Sequence, residues 1–446
     1  MTQTVNSMHV VVGLGKTGLS CARYLRRQGL PFFALDTRAN PPGLAEFQAE
    51  FPDSRVECGD LRAEALAEAG VIVLSPGVDA RHPVLRQARE QGKRMTGDID
   101  LFAHAIDAPL VAITGSNAKS TVTMLVGEMV HEAGIRVAVA GNIGTPVLDL
   151  LTEAPYALYV LELSSFQLET TSDLGATVAT VLNMSPDHMD RYESMQTYHR
   201  AKHRIFQGCR HAVVNRDDAL SRPLLPPEVM VSSFGLGRED SLDFSVVEQA
   251  GESWLAFARQ ALLPVRELKI AGRHNVANAL AALALGRAVG LDWEPMLRVL
   301  RRYPGLPHRC QWVAEINGVP WYNDSKGTNV GATVAAITGL GAQRPVLLLA
   351  GGVGKGADFS ALGPVMARYG RMAILFGEDA SKIALVLQPV VDVVQVGSLE
   401  EAVAHAHGQA RPGELVLLSP ACASFDMFRD YEHRGAVFAA AVGELH

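Results

Sequence analysis

Short apolar segments alternate with segments of helical periodicity along most of this 446-residue chain. The first unit runs from "HVVVG" through "GLSCARYLRRQG" to "PFFALDT", and the alternation resumes at "LVAIT" and at "PVLLLAGG". Such repetition is the pattern of parallel sheets covered by helices. It predicts an α/β protein, and its length predicts more than one domain.

Two breaks in the pattern divide the chain into three α/β domains. A new strand begins after Pro109, and the segment "YPGLPHR" at 303–309 contains two prolines and a glycine, which is typical of a linker. The central domain includes a β-rich insert, "FSVVEQAGESWLAFARQALLPVREL", and the third opens with a hairpin turned at Asn317-Gly318. Clefts between such domains are common places for a binding site.

Composition excludes several classes of protein. Hydrophobic residues make up 48% of the chain and charged residues 20%, yet no run approaches 18 apolar residues, so no membrane span is expected. The start, "MTQTVNSMHVVVG", has no secretion signal, and five scattered cysteines without C-x-x-C argue against disulfides or structural zinc. A net charge of −7 gives no field that attracts nucleic acid. We expect a cytoplasmic protein without a nucleic-acid partner.

The first candidate site is "VVGLGKTG", in which Gly13, Gly15 and Gly18 have G-x-G-x-x-G spacing after a strand and before a helix. Asp36 follows at the end of the next strand. This arrangement brings backbone close to a pyrophosphate and an acidic side chain to a ribose or base. NAD is the default ligand, another nucleotide-like ligand is the alternative, and the glycines are also explained by tight strand–helix packing alone.

The second candidate is the strand–loop–helix "LVAITGSNAKSTVTML", which resembles a phosphate-binding loop with residues missing. The full G-x-x-x-x-G-K-[ST] pattern requires glycine at positions held by Ile113 and Ala118, and only Gly115 is present. Backbone N–H groups, a lysine for the β- and γ-phosphates and a hydroxyl for Mg²⁺ are nevertheless available. The segment comprises Gly115, Ser116, Asn117, Ala118, Lys119, Ser120 and Thr121. The alternative is an ordinary capped helix with a surface lysine.

Polar residues after apolar strands form the third candidate. Glu162 ends the strand of "LYVLELSSFQLE", and Asp187, His188 and Asp190 follow another in "NMSPDHMDRY". Ligands of open α/β sheets bind at this edge, and oxygen ligands suit Mg²⁺. Lys202 lies in the helical segment "MQTYHRAKHRIF". A solvated surface lysine is an equally good interpretation of that residue.

Three loops of the C-terminal domain form the fourth candidate, because each follows a strand. They are "NDSKGTN" (Asp324, Ser325, Lys326, Thr328, Asn329), "GGVGKGADF" (Lys355) and "SPACASFDMF" (Ser424). A lysine between glycines suits a carboxylate or phosphate partner. Ordinary turns also contain Gly, Asp and Ser, so the alternative is three connecting loops.

Taken in order and spacing, these motifs resemble the Mur ligases over essentially the whole chain. The markers are "VVGLGKTG", "TGSNAKST", "GNIG", "LELSSFQLE", "NMSPDHMDRY", "GRHNVANALAA", "GLPHR", "NDSKGTN" and "SPACASFDMF". The last two are similar to the D-glutamate-adding branch, and no D-N-P-R stretch of the diaminopimelate- or lysine-adding branch is present. Folylpolyglutamate synthase shares the ATP elements.

The resemblance implies a three-domain α/β fold. The expected domains are a Rossmann-like domain that binds a UDP substrate at 1–98, a P-loop ATPase-like domain with a mixed or parallel sheet at 99–304, and a Rossmann-like domain that binds an amino acid at 305–446. The chain is expected to act as a monomer.

The implied reaction is ATP-dependent amide formation in peptidoglycan precursor synthesis. The carboxylate of UDP-N-acetylmuramoyl-L-alanine attacks the γ-phosphate to give an acyl phosphate, and the amine of D-glutamate then displaces phosphate. Dense positive charge is required because a carboxylate must approach a triphosphate. The implied cofactors are ATP and two Mg²⁺ ions, for which Mn²⁺ is expected to substitute.

By the same resemblance, individual residues receive roles. Lys119, His188 and Lys202 would be catalytic, with Lys202 carbamylated so that it becomes an oxygen ligand. Ser120, Glu162, His188 and Lys202 would hold metal. Besides the phosphate loop, ATP would contact Asn275, Asn278, Arg309, Asp324 and Lys326. The UDP substrate would contact Leu14, Gly15, Thr17, Asp36, Thr37, Arg38, Ser75, Gly77, Asn142 and His188. D-Glutamate would contact Thr328, Lys355, Ser424, Phe425 and Tyr431.

Three positions depart from the family's usual residues. Ala118 and Val353 stand where glycine and aspartate are common, and Tyr431 stands where phenylalanine is usual. Ala118 is expected to be tolerated if its φ is negative, as at the start of a helix. Two other functions remain open: an NAD dehydrogenase, which leaves the second loop unexplained, and a nucleotide-binding module without turnover.

Overall fold

The computed structural model describes residues 7–237, 243–270 and 272–445. Residues 1–6 lie outside the described residues. They belong to the segment that is predicted to lack a secretion signal. The described chain forms three sheets of five, nine and six strands, each flanked by helices. The predicted α/β fold class is therefore confirmed. Within the described ranges, no helix combines the length and apolar character needed to cross a membrane.

The N-terminal sheet is parallel, with strand order β3-β2-β1-β4-β5. Its strands are β1 (His9–Val12), β2 (Phe32–Asp36), β3 (Val56–Cys58), β4 (Val71–Leu74) and β5 (Arg94–Thr96). Its helices are α1 (Lys16–Arg27), α2 (Leu44–Glu50), α3 (Ala63–Ala67), α4 (Pro83–Glu90) and α5 (Asp98–Ala103). Strands β1 and β4 are buried at every residue, as continuous apolar runs in a parallel sheet should be.

The central sheet is mixed, with strand order β14-β13-β12-β11-β10-β9-β6-β8-β7. Its strands are β6 (Leu110–Thr114), β7 (Val137–Gly141), β8 (Leu158–Glu162), β9 (Val178–Val181), β10 (His211–Asn215), β11 (Met230–Phe234), β12 (Phe244–Gln249), β13 (Glu252–Phe257) and β14 (Gln260–Pro264). The strands β12 to β14 pair antiparallel, which confirms the predicted β-rich insert. The other pairings are parallel.

Helices cover both faces of the central sheet. They are α6 (Lys119–Glu132), α7 (Ser165–Glu169), α8 (Met195–His203), α9 (Arg273–Ala288) and α10 (Trp293–Arg302). Short 3₁₀ segments occur at Val147–Thr152, Arg204–Phe206, Ala219–Ser221 and Val265–Glu267. Capping boxes at Ser164 and Ser194 fix the starts of α7 and α8, and so fix which side chains these helices turn toward β6.

The C-terminal sheet has strand order β15-β16-β20-β17-β18-β19. Its strands are β15 (Gln311–Ile316), β16 (Val319–Asn323), β17 (Val346–Gly351), β18 (Gly370–Phe376), β19 (Asp392–Gln395) and β20 (Leu415–Leu418). Its helices are α11 (Val330–Gly341), α12 (Leu362–Tyr369), α13 (Ala380–Leu387), α14 (Leu399–Gln409) and α15 (Tyr431–Gly443). The β15–β16 hairpin turns at Asn317 and Gly318, whose φ values are 52° and 76°. Positive φ at both positions is the type I′ turn that this dipeptide predicts.

The three sheets are joined in two different ways. Buried residues of the first and second sheets form one continuous hydrophobic cluster, and Ser20 of α1 donates to Asp149 at 2.8 Å across that joint. The third sheet has clusters of its own on its two faces. Its contacts with the central part include the polar pairs Asn117–Asn329 and Arg309–Ser120. A polar cleft therefore lies between the second and third sheets.

Candidate active site

The phosphate loop connects the fully buried strand β6 to the start of α6 at Lys119. Ala118, the last residue of the loop, has φ 66° and ψ −4°, which is the left-handed conformation. The condition of a negative φ, on which easy tolerance of Ala118 depends, is therefore not met. The loop enters the helix through a left-handed residue, a conformation that a Cβ atom disfavours and that glycine adopts freely.

The loop is held by the segment that follows β9. Ser116 N–H donates to the Asn183 carbonyl at 2.9 Å, and Asn117 N–H donates to the Asn183 side-chain oxygen at 2.8 Å. The Ser116 hydroxyl donates to the Ser185 carbonyl at 2.9 Å. Asn183 and Ser185 were not assigned roles from the sequence, although "NMSPDHMDRY" contains both. Their position directly after an apolar strand was the available signal.

Lys119 turns its amine back over the loop. Its Nζ lies 3.0 Å from the Gly115 carbonyl oxygen and 3.1 Å from that of Ser116. Burial lowers the pKa of this amine, and the neighbouring carboxylates of Glu162 and Asp187 oppose that shift. The next residue, Ser120, accepts a hydrogen bond from Arg309 at 2.8 Å. Arg309, which belongs to the predicted C-terminal domain, thus contacts the Ser120 hydroxyl that is predicted to bind metal.

Glu162 ends β8 and is 1% exposed. One carboxylate oxygen accepts from the Asn142 amide at 2.8 Å, and the other is buried without a hydrogen-bond partner among the described residues. An unpaired buried carboxylate oxygen is costly unless something cationic pairs with it. Within the described ranges, no three His, Cys, Asp or Glu side chains are grouped as a metal cluster. The donor set therefore fits Mg²⁺ only if phosphate oxygens complete the coordination.

Lys202 is buried in α8, so the surface interpretation of this residue is wrong. Its Nζ donates to the Gly115 carbonyl at 2.8 Å and to the Thr114 hydroxyl at 3.2 Å. It also lies 5.0 Å from the centre of the Tyr198 ring. Burial, followed by the nearby charge of Lys119, lowers the pKa of Lys202 well below its ordinary value. This shift favours the uncharged form of the amine beside the phosphate loop.

His188 follows β9 and has φ 56°. Its ring meets Phe166 edge to face at 4.8 Å, and Nε2 lies 3.7 Å from Asp187 Oδ2. Burial lowers the pKa of His188, against the raising effect of Asp187, so the imidazole stays neutral near pH 7 and is able to bind a metal. Asp187 in turn accepts from the Asn329 amide at 3.2 Å.

Loops from two sheets line one cleft of about 480 Å³. The predicted residues that share it are Ser116, Asn117, Ala118, Lys119, Ser120, Asn142, Glu162, His188, Lys202, Arg309, Lys326, Thr328, Lys355, Ser424, Phe425 and Tyr431. Besides the carboxylates of Glu162, Asp187 and Asp430, it contains the basic side chains of Lys119, Arg309, Lys326 and Lys355. This concentration of positive charge, in a chain of net charge −7, suits a strongly anionic substrate.

Lys326 and Tyr431 meet across the cleft wall. The Lys326 ammonium lies 3.9 Å from the centre of the Tyr431 ring, and the Tyr431 hydroxyl donates to Glu432 at 2.9 Å. Burial, together with Arg309 and Lys119, lowers the pKa of Lys326 to about 8. Lys355 has no side-chain hydrogen bond or ion pair among the described residues and is half-buried. The Lys326 ammonium is therefore stacked on the Tyr431 ring, and the Lys355 ammonium is available for an anionic group.

A second cavity, of about 170 Å³, adjoins the phosphate loop. The predicted nucleotide contacts that line it are Asn117, Ala118, Thr121, Asn275, Asn278, Arg309, Asp324 and Lys326. Asn183, Asn215, Phe234 and His274 line it as well, and the sequence did not single them out. Burial raises the pKa of Asp324 to about 6, although Ser419 donates to it at 2.7 Å.

The predicted UDP contacts of the first sheet lie on a separate edge. Leu14, Gly15, Thr17, Asp36, Thr37, Arg38, Ser75 and Gly77 lie at or directly after the carboxyl ends of β1, β2 and β4. Asp36 accepts from Leu14 N–H at 2.6 Å and pairs with Arg38 at 2.7 Å. A Cβ atom on Gly18 would lie 1.9 Å from the Gly13 carbonyl oxygen, so part of the glycine motif serves strand–helix packing.

An arginine that the sequence did not single out connects this edge to the cleft. Arg191 donates to the carbonyl oxygens of Pro76 and Val78, each at 3.2 Å. Its guanidinium also pairs with Glu169 at 2.7 Å and lies 4.2 Å from the centre of the Phe166 ring. Phe166 is the ring that contacts His188, so the loop after β4 is tied to the cleft through two side chains.

Comparison with known proteins places this geometry in a family. Residues 113–286 match a model of the Mur ligase middle domain, 7–97 a model of the MurD-like N-terminal domain, and 308–422 a model of the Mur ligase glutamate ligase domain. The chain belongs to the Mur ligase family. The resemblance that the motifs carry is confirmed, and family membership removes the grounds for an NAD dehydrogenase.

Curated Mur ligases are similar over nearly the full length of both chains. The UDP-N-acetylmuramoylalanine–D-glutamate ligase of Pseudomonas aeruginosa is 58% identical over 438 residues, or 98% of each chain. The protein of the same name from Hahella chejuensis is 53% identical over 437 residues, again 98% of each chain.

Solved structures show the same fold at low identity. MurC of Thermotoga maritima, a UDP-N-acetylmuramate-alanine ligase, matches with a TM-score of 0.58 at 17% identity, covering 99% of this chain and 100% of its own. The pseudomurein peptide ligase type C of Methanothermus fervidus has a TM-score of 0.58 at 17% identity, covering 93% and 96%.

Proposed function

We propose that this Mur ligase adds D-glutamate to UDP-N-acetylmuramoyl-L-alanine at the expense of ATP, in peptidoglycan precursor synthesis. The observation that carries the proposal is the shared cleft, in which the phosphate loop of the central sheet faces Lys355 of the C-terminal sheet, a cation without an ion pair in the described part of the chain. Relatives at 53–58% identity bear the name of that activity. The proposed domains are 1–98 for the UDP substrate, 99–304 for ATP and 305–446 for the amino acid.

The first step joins the substrate carboxylate to the γ-phosphorus of ATP. A carboxylate oxygen forms a P–O bond while the bond from γ-phosphorus to the bridging oxygen breaks, so that ADP leaves and an acyl phosphate remains. Lys119 and Arg309 lower the repulsion between the two anions, because they place cationic groups at the phosphate loop. Asn275, Asn278, Asp324 and Lys326 would orient the adenine nucleotide, whose base would occupy the cavity beside the loop.

The second step forms the amide. The neutral amine of D-glutamate attacks the acyl carbon, a tetrahedral intermediate forms, and inorganic phosphate leaves with the electron pair of the broken C–O bond. Thr328, Lys355, Ser424, Phe425 and Tyr431 would hold the amino acid, with the side-chain carboxylate on Lys355. Pairing of that carboxylate with a fixed cation would orient the amine toward the acyl group.

Metal ligation is assigned to Ser120, Glu162, His188 and Lys202. When bound, two Mg²⁺ ions supply positive charge that offsets the charge on the phosphate and acyl oxygens; Mn²⁺ is proposed as a substitute. One buried oxygen of Glu162 has no hydrogen-bond partner among the residues that the structure describes, which supports this assignment. The lowered pKa of Lys202 favours the uncharged amine, which is the form that adds to CO₂, and we include carbamylation of Lys202 in the proposal.

The UDP end of the substrate is assigned to the edge of the N-terminal sheet. Asp36, Thr37 and Arg38 would contact the uracil and diphosphate, together with Leu14, Gly15, Thr17, Ser75 and Gly77. Asn142 and His188 would hold the arm that extends into the cleft. Arg191 supports this path because it ties the loop after β4 to the Phe166 ring beside His188. We further propose that the chain acts as a cytoplasmic monomer.

Coupled phosphate release tests the proposal. With ATP, Mg²⁺ and UDP-N-acetylmuramoyl-L-alanine present, release should require D-glutamate, and L-glutamate, L-lysine and glycine should not replace it. Absence of stimulation by every amino acid would overturn the ligase assignment and leave a nucleotide-binding module. Stimulation by L-lysine alone would transfer the chain to another branch of the family.

A further inference from the structure

A second charged cavity lies on the far side of α8 from the active cleft. It measures about 520 Å³ and is lined by side chains of α4 from the N-terminal sheet and of α8 from the central sheet. Its charged residues are the arginines Arg81, Arg86, Arg89, Arg191, Arg200 and Arg204 and the acids Asp79, Glu169 and Glu193. Six cations against three anions leave an excess of three positive charges. We call this cavity the arginine cleft.

The positive charge of the arginine cleft is only partly neutralised by the protein. Arg81 pairs with Asp79 and Arg191 with Glu169, both at 2.7 Å. Arg86, Arg89 and Arg200, by contrast, have no side-chain hydrogen bond or ion pair within the described residues. Three unpaired guanidinium groups therefore converge on one concavity.

A buried atom of Arg191 points to the same deficit of negative charge. The Nε of Arg191 is buried without a hydrogen-bond partner in the described part of the chain. Arg204 donates to the Thr171 carbonyl at 2.9 Å and lines the same cavity as Arg89 and Arg200. Like charges held this close repel each other, and an anion between them removes that repulsion. Guanidinium groups match phosphate oxygens in charge and in planar geometry.

The arginine cleft is separate from the active cleft. None of its lining residues lines the active cleft or the adjoining nucleotide cavity. The two share helix α8, which turns Tyr198 and Lys202 toward the phosphate loop and Thr197, Arg200 and Ala201 toward the arginine cleft. An anion bound on one face would therefore contact the helix that carries Lys202 on the other.

We propose that the arginine cleft is a second anion site, which binds a small molecule with two or more phosphate groups. Its volume falls in the range of pockets for small ligands, about 300–1,000 Å³. It is a concavity between helices of two domains, whereas a bilayer or a nucleic acid duplex requires an extended basic surface. An oligophosphate or the phosphate chain of a nucleotide fits both the charge excess and the concave shape.

Binding of inorganic tripolyphosphate tests the proposal on the intact protein. The phosphate-binding loops are first saturated with a non-hydrolysable ATP analogue and UDP, and titration calorimetry then measures what remains. We expect one further site, weakened at least about tenfold by the double variant Arg89→Ala/Arg200→Ala, because two phosphate contacts are lost. The control is Arg94→Ala/Arg411→Ala, which removes the same charge from exposed positions outside the cleft; this variant should bind as the wild type does.

Three results would overturn the proposal. One is the absence of tripolyphosphate binding once the active cleft is saturated. Another is equal weakening by the two double variants, which would show a diffuse charge effect. The third is binding to vesicles of anionic lipid or to single-stranded RNA that depends on Arg89 and Arg200 while tripolyphosphate does not bind, which would assign the cleft to a macromolecule.

Discussion

The amine of Lys202 lies 2.8 Å from the carbonyl oxygen of Gly115, so a lysine from α8 is fixed directly under the phosphate loop. Burial keeps the pKa of this amine well below its ordinary value, and the cationic form is disfavoured. Both effects weaken its role as a phosphate-binding cation. Its position suits a chemically modified side chain whose oxygens face the cleft.

Replacement of Lys202 by alanine tests that modification. Lys202→Ala should lower kcat about 100-fold or more, as loss of one preorganised charged group typically does. Added formate or acetate should restore part of the rate, because a small carboxylate would occupy the place of the carbamate. The measurement is phosphate release against carboxylate concentration.

Lys119→Ala is the matched control for that experiment. It removes the neighbouring lysine, which acts as a cation, so a carboxylate should give no recovery. Absence of recovery in Lys202→Ala, with circular dichroism unchanged, would contradict the carbamate. Equal recovery in both variants would show a general salt effect.

The left-handed conformation of Ala118 predicts that glycine is better tolerated there. Ala118→Gly should raise the free energy of unfolding by about 0.5 to 1 kcal/mol, since a Cβ atom at positive φ costs about 1 to 2 kcal/mol and glycine loses more backbone entropy. Urea unfolding measures the change, and the KM for ATP should stay within about threefold of wild type, since no side-chain contact with ATP is removed.

Ala133→Gly provides the comparison at the other end of α6, where φ is −76°. With no strain to relieve, this substitution should leave stability unchanged or lower it by about 0.5 to 1 kcal/mol. A loss of stability in Ala118→Gly equal to that in Ala133→Gly would argue against strain in the loop.

Much of the fold and part of the site were accessible from periodicity and motif order. Continuous apolar runs predicted the buried strands β6 and β17, and Asn317-Gly318 predicted the hairpin turn. Local sequence determines these features, since strand burial and turn conformation depend on neighbouring residues. Motif order also predicts the two loops that face each other across the cleft, which are the phosphate loop at 115–121 and the glycine-rich loop that carries Lys355.

The features that the sequence does not predict depend on tertiary structure. The burial of Lys202 follows from the packing of α8 against β6, and its helical segment alone fits a surface equally well. The φ of Ala118 is set by the anchoring of the loop on Asn183, which is 65 positions further along the chain. Arg191 acquires its contacts only when the N-terminal and central sheets pack together.

The lowered pKa of Lys326 predicts a pH dependence of ATP use. Below about pH 8 the ammonium is charged and attracts the nucleotide, and as pH rises through about 8 the side chain becomes neutral. The value of kcat/KM for ATP, which reports groups of the free enzyme, should therefore fall on the alkaline side with an apparent pKa near 8. Lys326→Arg keeps the charge at high pH and should raise the apparent pKa of the alkaline side by more than about one pH unit. An unchanged apparent pKa in Lys326→Arg would assign the titration to another group.

Glu162 is expected to determine the Mg²⁺ concentration that the enzyme needs for activity. Glu162→Gln keeps an oxygen that accepts from Asn142 but removes the charge, so the Mg²⁺ concentration for half-maximal activity should rise about tenfold or more. Glu153→Gln changes an exposed carboxylate outside the cleft and should leave that concentration unchanged. A normal Mg²⁺ requirement in Glu162→Gln would remove Glu162 from the metal ligands.

Lys355 is expected to select the second substrate. Lys355→Gln should raise the KM for D-glutamate by about 10-fold to 100-fold, because an ionic hydrogen bond contributes about 1.5 to 3 kcal/mol, and it should leave the KM for ATP unchanged. Lys382→Gln is the control, since that lysine pairs with Asp379 at 2.6 Å on the surface of the same sheet and should not alter either KM. Because Lys355 has no partner among the described side chains, the substitution breaks no internal ion pair, and a change in the KM for D-glutamate measures substrate contact. An unchanged KM for D-glutamate in Lys355→Gln would place the side-chain carboxylate elsewhere in the cleft.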